Sequence, residues 1–286
     1  MKRAARPRHR PRKRFGQHFL APAWAQKVVR AIDPQPGDVF LEIGPGTGAL
    51  TLPLAATGAP VLAVEIDRDL VAHLSERVPA HVTLLSGDAR ELDVVAYLSG
   101  LSPQTPPVPG VMVRKRYRVV GNLPYNIATP ILLRLIEIDR QHRFFADATL
   151  MVQHEVADRL VARAGTKAYG ALTIAAAVRT RITRLLNLPP GAFRPAPRVR
   201  STVVRVEFGV SVVRIPDEVL FERLVRALFS ARRKTLANAL KQFDATAPAV
   251  LALAGLDGRR RPETLQVAEI ARLADLFATV RRAPVL

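Results

Sequence analysis

The 286-residue chain is 49% hydrophobic, which is enough for a sizeable core and excludes an intrinsically disordered protein. It contains no cysteine, which excludes disulfides, thiolate metal ligands and cysteine nucleophiles and fits a reducing cytoplasm. No uninterrupted apolar run reaches the roughly 18 residues of a membrane span, so we predict no membrane partner. We also expect a cytoplasmic location and no metal centre.

Positive charge is concentrated at the start of the chain. The sequence has 43 Lys and Arg against 24 Asp and Glu, a net charge of +19, and residues 1–32 hold ten of these cations and no acid. Such a block is typical either of a solvated tail or of an arm that neutralises phosphates. Because the rest of the chain is also basic, we favour nucleic acid as the partner. We predict a flexible basic arm over residues 1–12 and RNA binding by three consecutive cations, Arg12, Lys13 and Arg14.

From about Asp38 onwards, short apolar runs alternate with helix-like stretches. Residues 48–56 are predicted to form a helix, and Asp67 is a good N-cap for the helix that follows it. The predicted strands are 39–43, 61–65, 82–85, 118–120, 148–152 and 199–208. This alternation favours an α/β fold with a mostly parallel sheet covered by helices on both faces.

Two further regions differ from this pattern. Residues 99–113 contain four prolines and two glycines and are predicted to be an exposed loop insertion without an assigned role. After Pro216 the apolar residues follow helical spacing, in 219–229 and again in 267–280. We therefore place a domain boundary near 209–216, which separates a first domain, 13–210, from a helical domain, 211–286.

A glycine loop follows the first predicted strand. Gly44, Gly46 and Gly48 open the helix that comes next, and glycine lets the backbone approach a ligand closely. The dinucleotide fingerprint requires glycine at position 49, where this chain has Ala49. The loop also begins two residues after an acid, Glu42. We conclude that the spacing fits the nucleoside loop of S-adenosylmethionine enzymes better than that of a nicotinamide dehydrogenase.

Carboxylates follow the next two predicted strands. Glu65 ends the second strand about twenty residues past the glycine loop, where a carboxylate can accept hydrogen bonds from both ribose hydroxyls. Asp88 ends the third strand, where a carboxylate can meet the adenine amino group of the cofactor. Either acid alone is equally typical of a helix cap or turn. Because the carboxyl ends of parallel strands meet in one crevice, the set together predicts a cofactor site.

The fourth predicted strand runs into Asn122-Leu123-Pro124-Tyr125. The Asn122 side-chain oxygen and the Leu123 carbonyl are two acceptors for the amino group of an adenine. Pro124 restricts its own backbone and that of the preceding residue, and Tyr125 supplies a ring on which a base can stack. An Asn-x-Pro sequence is also common in ordinary turns. Its place beside a nucleoside-type crevice favours transfer of a methyl group to adenine N6.

With these motifs the chain resembles the ribosomal RNA adenine dimethyltransferases, and within them the bacterial enzymes of the small subunit. The matching segments are 13–20, 41–48, 65–67, 87–89, 121–126, 167–170, 193–199 and 232–235, in the family's order along nearly the whole chain. The resemblance implies a Rossmann-like, S-adenosylmethionine-dependent methyltransferase domain with a seven-stranded sheet. It also implies N6,N6-dimethylation of two adjacent adenosines in the 3′-terminal hairpin loop of 16S rRNA, with a role in small-subunit biogenesis.

The resemblance assigns roles to individual residues. Phe193 is implied to face Tyr125 across the target base, although Phe193 is equally compatible with a place in the core. Lys234 and its two neighbours, Arg232 and Arg233, are implied to bind rRNA in the helical domain. The implied cofactor-binding residues are Gln17, His18, Leu20, Gly44, Gly46, Glu65, Asp88 and Asn122. His18 departs from the family, which usually has Asn at this position, so its contact with the cofactor is left open.

Other functions stay compatible with the sequence. One is a large-subunit rRNA adenine methylase of the macrolide-resistance type, and another is a non-catalytic ribosome-assembly factor built on the same fold. An intact Asn122-Pro124-Tyr125 set disfavours pure binding. The expected partner is small-subunit rRNA within an immature 30S subunit, and we expect the enzyme to be a monomer.

Overall fold

The fold is given by a computed structural model of the chain, which describes Arg12 and residues 16–100, 117–210, 213–230 and 234–282. Within these ranges, nine strands form a two-stranded and a seven-stranded sheet. The strands are β1 (Phe19–Leu20), β2 (Phe40–Ile43), β3 (Val61–Glu65), β4 (Val82–Ser86), β5 (Tyr117–Asn122), β6 (Phe145–Gln153), β7 (Thr180–Leu188), β8 (Phe193–Arg194) and β9 (Ser201–Phe208). The Pro-rich insertion 99–113 lies almost wholly outside the described residues.

Eleven α-helices connect or follow the strands in the described part of the chain. They are α1 (Pro22–Ile32), α2 (Thr51–Ala55), α3 (Arg68–Ser75), α4 (Val94–Gly100), α5 (Ala128–His142), α6 (His154–Leu160), α7 (Ala171–Ala177), α8 (Glu218–Phe229), α9 (Leu236–Lys241), α10 (Ala247–Ala254) and α11 (Val267–Arg282). Asp67 caps α3 as predicted, because its side chain accepts from the Asp69 amide.

The larger sheet has the strand order β4-β3-β2-β5-β6-β9-β7. The pairs from β4 to β6 are parallel, and β9 runs antiparallel to β6. Strands buried on both faces require continuous apolar runs, and every residue of β2 and β3 is buried. The predicted fold class, a mostly parallel seven-stranded α/β sheet, is therefore confirmed. Strand β7 was not predicted.

The order of the strands determines where a ligand can bind. Strand β2 lies between β3 and β5, so the loops after β2, β3, β4 and β5 all emerge from the same edge of the sheet. The order of the strands reverses beside β2, because β3 and β4 are added on one side of it and β5 and β6 on the other. Open α/β sheets bind ligands at such a switch point.

The opposite end of β5 is anchored by a buried ion pair. Arg118 donates to Asp147 at 2.8 and 3.0 Å and to Asp38 at 2.7 Å. It also donates to the carbonyls of Ile32 and Asp33 at the end of α1, at 2.7 and 3.0 Å. One guanidinium therefore holds the start of β5, the neighbouring strand and the last turn of a helix.

Internal contacts divide the chain into two compact units. The first comprises residues 1–154 and 183–208, and the second comprises 155–182 and 209–286. The sequence predicts a single boundary near 209–216, whereas this division also assigns 155–182 to the second unit. The second unit has its own apolar core, to which α7, α8, α9, α10 and α11 contribute buried residues.

Candidate active site

One pocket of the first unit gathers almost all of the predicted cofactor and base residues. It is lined by residues 16–20, 42–47, 49–50, 64–66, 70, 87–89, 122–125, 127 and 131. These positions follow β2, β3, β4 and β5, as expected for the carboxyl edge of the sheet, and are completed by the N-terminal segment 16–20. Phe193 is not among them.

Gly44 and Gly46 of the glycine loop line this pocket, and the loop backbone is left-handed at its three glycines. Gly44, Gly46 and Gly48 have φ values of 71°, 57° and 87°, which side-chain-bearing residues rarely adopt. A Cβ on Gly48 would come within 2.6 Å of Leu74, whereas a Cβ on Gly44 would meet no atom closer than 4.0 Å. Gly48 is therefore required by packing, and Gly44 leaves space at the pocket that a ligand can occupy.

Glu65 is fixed at the end of β3 by two backbone amides. Its Oε2 accepts from Gly46 at 3.0 Å and its Oε1 accepts from Asp67 at 2.9 Å. Burial raises the pKa of Glu65 and these two amides oppose the increase. Because each carboxylate oxygen can accept more than one hydrogen bond, both keep capacity for the two hydroxyls of a ribose.

Glu42 is a functional candidate for which the sequence predicts no ligand role. It lies on β2, lines the pocket and is only 2% exposed. Its Oε2 has no hydrogen-bond partner among the described residues. Burial raises the pKa of Glu42 to about 7, and the nearby charge of Glu65 adds to this effect while Thr51 opposes it. An acid between two hydrophobic residues of a buried strand is a sequence signal for a functional residue. The position of Glu42 within a strand, taken alone, predicts only that it is buried.

The raised pKa of Glu42 predicts a change of stability with pH. The folded state holds this proton more tightly than the unfolded state, so the free energy of unfolding falls as pH rises from about 4.5 to about 7. The decrease attributable to Glu42 is on the order of 3 kcal/mol. Glu42→Gln removes it, so urea unfolding at pH 5 and pH 7.5 is expected to show a flatter pH profile in the variant. Parallel profiles for the two proteins would contradict the assigned environment.

Asp88 follows β4 and lies at the pocket, as predicted. Its carboxylate is engaged by Arg90, whose Nε lies 3.1 Å from both oxygens and whose terminal nitrogen lies 2.5 Å from Oδ2. This contact with Arg90 lowers the pKa of Asp88. The acid is therefore ionised near neutral pH, and an adenine amino group would share the carboxylate with Arg90.

Asn122 ends β5 with its side-chain amide held in one orientation. Its Nδ2 donates to the backbone carbonyl of His18 at 2.7 Å, so the other end of the amide, Oδ1, is the acceptor available to a base. The Leu123 side chain is buried at 1% exposure and anchors the loop from below. A Cβ on Gly121 would lie 2.9 Å from the Ile43 carbonyl, which explains the glycine before Asn122.

Tyr125 is held by a residue far away in sequence. Its hydroxyl and the Ser201 hydroxyl lie 2.7 Å apart, and Ser201 is fully buried at the start of β9. Burial raises the pKa of Tyr125, so the phenol stays neutral. The ring of His18 stacks on Tyr125 with centroids 5.7 Å apart and planes at 25°. Neither Ser201 nor this pairing could be read from local sequence.

Phe193 does not have the position implied by the resemblance. Its side chain is 1% exposed and belongs to an apolar cluster that includes Leu20 and Val203. Strand β8 pairs antiparallel with β1, with Leu20 opposite Phe193. The structure thus realises the alternative of a core residue, because the ring is enclosed and presents no face to a base in this conformation.

Two acids at the start of α3, Asp67 and Asp69, hold the N-terminal segment. Gln17 donates to Asp67 at 3.0 Å and accepts from the Arg12 amide at 2.8 Å. The Arg12 guanidinium pairs with Asp67 at 2.8 Å and also with Asp69. Arg12, expected to bind RNA, is thus engaged by two carboxylates, and the polar atoms of the Gln17 side chain contact protein. Leu20 and His18 line the pocket as expected.

The remaining residues predicted to bind RNA lie mostly outside the described chain. Lys13, Arg14, Arg232 and Arg233 are among these, as are residues 1–11 of the arm. Lys234 is described and donates to Gln242 at 2.7 Å. Within the described ranges, no group of three or more His, Asp or Glu is arranged to hold a metal ion, and no helix combines the length and apolarity needed to cross a membrane.

Fold and pocket together define a class, the Rossmann-like methyltransferases, α/β enzymes that take their methyl group from S-adenosylmethionine. The crystal structure of a dimethyladenosine transferase from Plasmodium falciparum matches 92% of this chain and 98% of its own, with a TM-score of 0.67 and 23% identity. The 23S rRNA methyltransferase ErmE matches 91% of this chain and 99% of its own, with a TM-score of 0.61 and 21% identity. At these identities the similarity establishes the fold.

The family follows from closer similarities in sequence. The family described as ribosomal RNA adenine dimethylase matches residues 8–279. Ribosomal RNA small subunit methyltransferase A of Aromatoleum aromaticum is 43% identical over 275 residues, 94% of this chain and 95% of that protein. The protein of the same name from Moorella thermoacetica is 42% identical over 272 residues, 92% of this chain and 91% of its own. The chain belongs to the ribosomal RNA adenine dimethylase family.

Proposed function

We propose that this protein dimethylates N6 of two adjacent adenosines in the 3′-terminal hairpin loop of 16S rRNA and acts in small-subunit biogenesis. The observation that carries the proposal is the orientation of Asn122. Its amide donates to His18 and therefore offers Oδ1 at the same pocket that contains Glu65 and the glycine loop. An acceptor for an adenine amine thus adjoins a site for a nucleoside cofactor.

The residues present fit S-adenosylmethionine. Gly44 leaves space at the loop, and Glu65 keeps acceptor capacity on both carboxylate oxygens. The buried Oε2 of Glu42, which has no partner in the described chain, is suited to a hydrogen-bond donor or cationic part of a ligand. With Asp88, Gly46 and Leu20, these residues would hold the cofactor, which supplies an electrophilic methyl group on a sulfonium when bound.

The chain's own groups act on the target nitrogen. The lone pair of adenine N6 is delocalised into the ring, which makes the nitrogen a poor nucleophile. Hydrogen bonds from its two N–H groups to Asn122 Oδ1 and the Leu123 carbonyl would favour the pyramidal form and stabilise the positive charge that develops during transfer. Because Leu123 is anchored in the core and Pro124 restricts the loop, both acceptors are held in place before the base arrives.

Tyr125 would orient the base rather than act on the amine. Ser201 fixes the hydroxyl end of its ring, which leaves the ring as a platform at the pocket. Stacking on such a ring contributes roughly 1–3 kcal/mol per base. The target is expected in an RNA loop, where an adenosine can be turned out of its stack at the lowest cost.

The choice of the small subunit is supported by the relatives at 39–43% identity, which carry the name small subunit methyltransferase. A large-subunit rRNA methylase shares the fold at 21% identity only. A test offers labelled S-adenosylmethionine with immature 30S subunits, 50S subunits and free 16S rRNA. We expect label in 16S rRNA of the immature subunit. Label confined to large-subunit RNA would overturn the substrate, and tight binding without label would favour an assembly factor.

We also propose that the protein is a monomer and acts in the cytoplasm. Light scattering coupled to size-exclusion chromatography is expected to give the 31.3 kDa mass of one chain.

We further propose that the basic arm adds affinity through phosphates. Residues 1–11 contain five Lys and Arg, whereas Arg12 is paired with Asp67 and Asp69. Deleting residues 1–11 is expected to reduce the slope of log affinity against log salt by up to about 4, because fewer counterions are released on binding. Fluorescence anisotropy with a labelled rRNA fragment at several salt concentrations measures this slope.

Arg12→Ala is the matched control for the arm. It removes one cation that the carboxylates already neutralise, so it should leave the salt slope close to that of the full chain. A deletion of 1–11 that leaves the slope unchanged, or an Arg12→Ala slope as shallow as that of the deletion, would reject this account of the arm.

A further inference from the structure

Asp67 lies behind the cofactor pocket rather than in its lining. Its side chain is 0% exposed, and it follows the end of β3 two residues after Glu65. Gln17 and Glu65 line the pocket, whereas neither Asp67 nor Arg12 does. Asp67 therefore acts on the pocket through the residues that it holds.

Both carboxylate oxygens of Asp67 are engaged by the N-terminal part of the chain. Oδ1 accepts from Arg12 Nη1 at 2.8 Å, and Oδ2 accepts from Gln17 Nε2 at 3.0 Å. The backbone amide of Arg12 in turn donates to Gln17 Oε1 at 2.8 Å. The three residues thus form a closed ring of hydrogen bonds, which fixes both ends of the Gln17 side-chain amide.

The same acid also holds the residue expected to bind the ribose of the cofactor. The backbone amide of Asp67 donates to Glu65 Oε1 at 2.9 Å. Asp67 thereby connects two walls of the pocket, since its carboxylate fixes Gln17 and its amide fixes Glu65. A displacement of Asp67 would move both.

The charge of Asp67 requires a partner. A carboxylate enclosed away from water is stable as an anion only when it is paired, and the guanidinium of Arg12 supplies the cation. Burial raises the pKa of Glu65, and the charge of Asp67 adds to this increase. By neutralising Asp67, Arg12 favours the ionised form of Glu65, in which both oxygens are free to accept from ribose hydroxyls.

We propose that Arg12 is a positioning residue of the cofactor site, which neutralises Asp67 and completes the ring of hydrogen bonds that holds Gln17 and Glu65 at the pocket for S-adenosylmethionine. The sequence predicts an RNA contact for Arg12, so this is a different role for the same cation. It rests on the cofactor pocket of the proposed function and does not depend on which RNA is methylated.

Arg12→Ala is expected to raise the Kd for S-adenosylmethionine, measured by calorimetry, by about 10-fold, the effect of losing one hydrogen bond between charged groups. The value of kcat at saturating cofactor and RNA should stay near wild type, because Arg12 touches neither reactant. Arg12→Lys keeps the positive charge and should bind the cofactor more tightly than Arg12→Ala. A wild-type Kd in Arg12→Ala, or a fall in kcat with an unchanged Kd, overturns this role.

A double variant tests whether Arg12 acts through Asp67. Asp67→Asn removes the charge but keeps the size of the side chain and an N-cap for α3. If the two residues act as a pair, Arg12→Ala combined with Asp67→Asn should bind S-adenosylmethionine about as weakly as the weaker single variant. Losses that multiply in the double variant would show that the residues act independently, and would overturn the pairing.

Arg140→Ala is the matched control. Arg140 pairs with Glu137 in α5, and neither residue lines the pocket, so this variant should bind the cofactor like wild type.

Hydrogen exchange gives a readout that does not depend on activity. With S-adenosylmethionine bound, the amides of residues 16–20 should exchange faster in Arg12→Ala than in wild type or Arg140→Ala. Equal exchange in Arg12→Ala and wild type overturns the inference. If Arg12→Ala shows the expected loss of cofactor affinity but wild type transfers no methyl group to RNA, the proposed function fails while the role of Arg12 stands.

Discussion

Asn122→Ala is expected to lower kcat for methyl transfer by about 10²–10³, the usual effect of removing one preorganised group that stabilises developing charge. The variant loses the Oδ1 acceptor for the adenine amine and also the donor to His18 that holds the amide in position. The loss should appear in kcat, because the acceptor is most effective when the nitrogen carries positive charge. Single-turnover transfer at saturating cofactor and RNA measures it.

Asn126→Ala is the matched control for this experiment. Asn126 lies in the same loop, is exposed and does not line the pocket. It should transfer methyl groups at nearly the wild-type rate. If Asn122→Ala kept a kcat similar to that of Asn126→Ala, the acceptor role of Asn122 would be wrong, and the amide would be a structural brace for His18 alone.

The second large effect concerns stability. Arg118→Ala is expected to reduce the free energy of unfolding by about 3–5 kcal/mol, because removing one partner of a buried ion pair leaves the others uncompensated. The Arg118 side chain is 10% exposed, and its loss would leave Asp147 and Asp38 without this cation. It would also remove one donor each from the carbonyls of Ile32 and Asp33, which keep those from Arg205 and Gln35. Arg205, 3.6 Å from Asp147, offsets part of the loss.

A fluorescent residue near Arg118 and a control variant allow this prediction to be tested. Trp24 is the only tryptophan of the chain and lies in α1, the helix that Arg118 anchors, so its fluorescence follows unfolding of the first unit. Arg140→Ala breaks an exposed pair with Glu137 and should cost less than about 1 kcal/mol. Urea midpoints that coincide for the two variants would contradict the structural role of Arg118.

The parallel core of the fold was predictable because its strands carry an unambiguous signal. Strands β2 and β3 are fully buried and apolar except for Glu42 within β2 and Glu65 at the end of β3, and both strands lie where the sequence indicates. Strand β7 was not predictable in the same way. Its residues 180–188 mix Arg, Thr and Asn with apolar residues without clear alternation, and only its place in the sheet stabilises it as a strand.

The sequence also did not predict that residues 155–182 belong to the second unit. Helices α6 and α7 are seven residues each, and short apolar helical segments do not reveal what they pack against. Ile174 of α7 belongs to the same apolar cluster as Leu224 and Ile270, which come from far along the chain. Long-range contacts of this kind leave no local pattern.

The site likewise has residues that the sequence predicts and residues that it does not. Positions set by strand ends, such as Glu65 and Asn122, follow from the order of the motifs. Contacts made across the sheet do not: Ser201 beneath Tyr125 and the Arg12 pair with Asp67 are brought together by folding alone. Phe193 shows how far a motif can predict a role. The motif identifies the residue, but the packing around its ring determines whether the ring is exposed.

We expect the Asn122 loop and the nucleoside pocket to act together in dimethylating adenine in small-subunit RNA. Mass spectrometry of nuclease-digested 16S rRNA, after incubation of immature 30S subunits with the protein and S-adenosylmethionine, tests it most directly. With wild type we expect a fragment from the 3′-terminal hairpin that carries two adjacent dimethyladenosines, and with Asn122→Ala we expect none. If wild-type protein that binds the cofactor left the 16S rRNA unmodified, this function would be wrong.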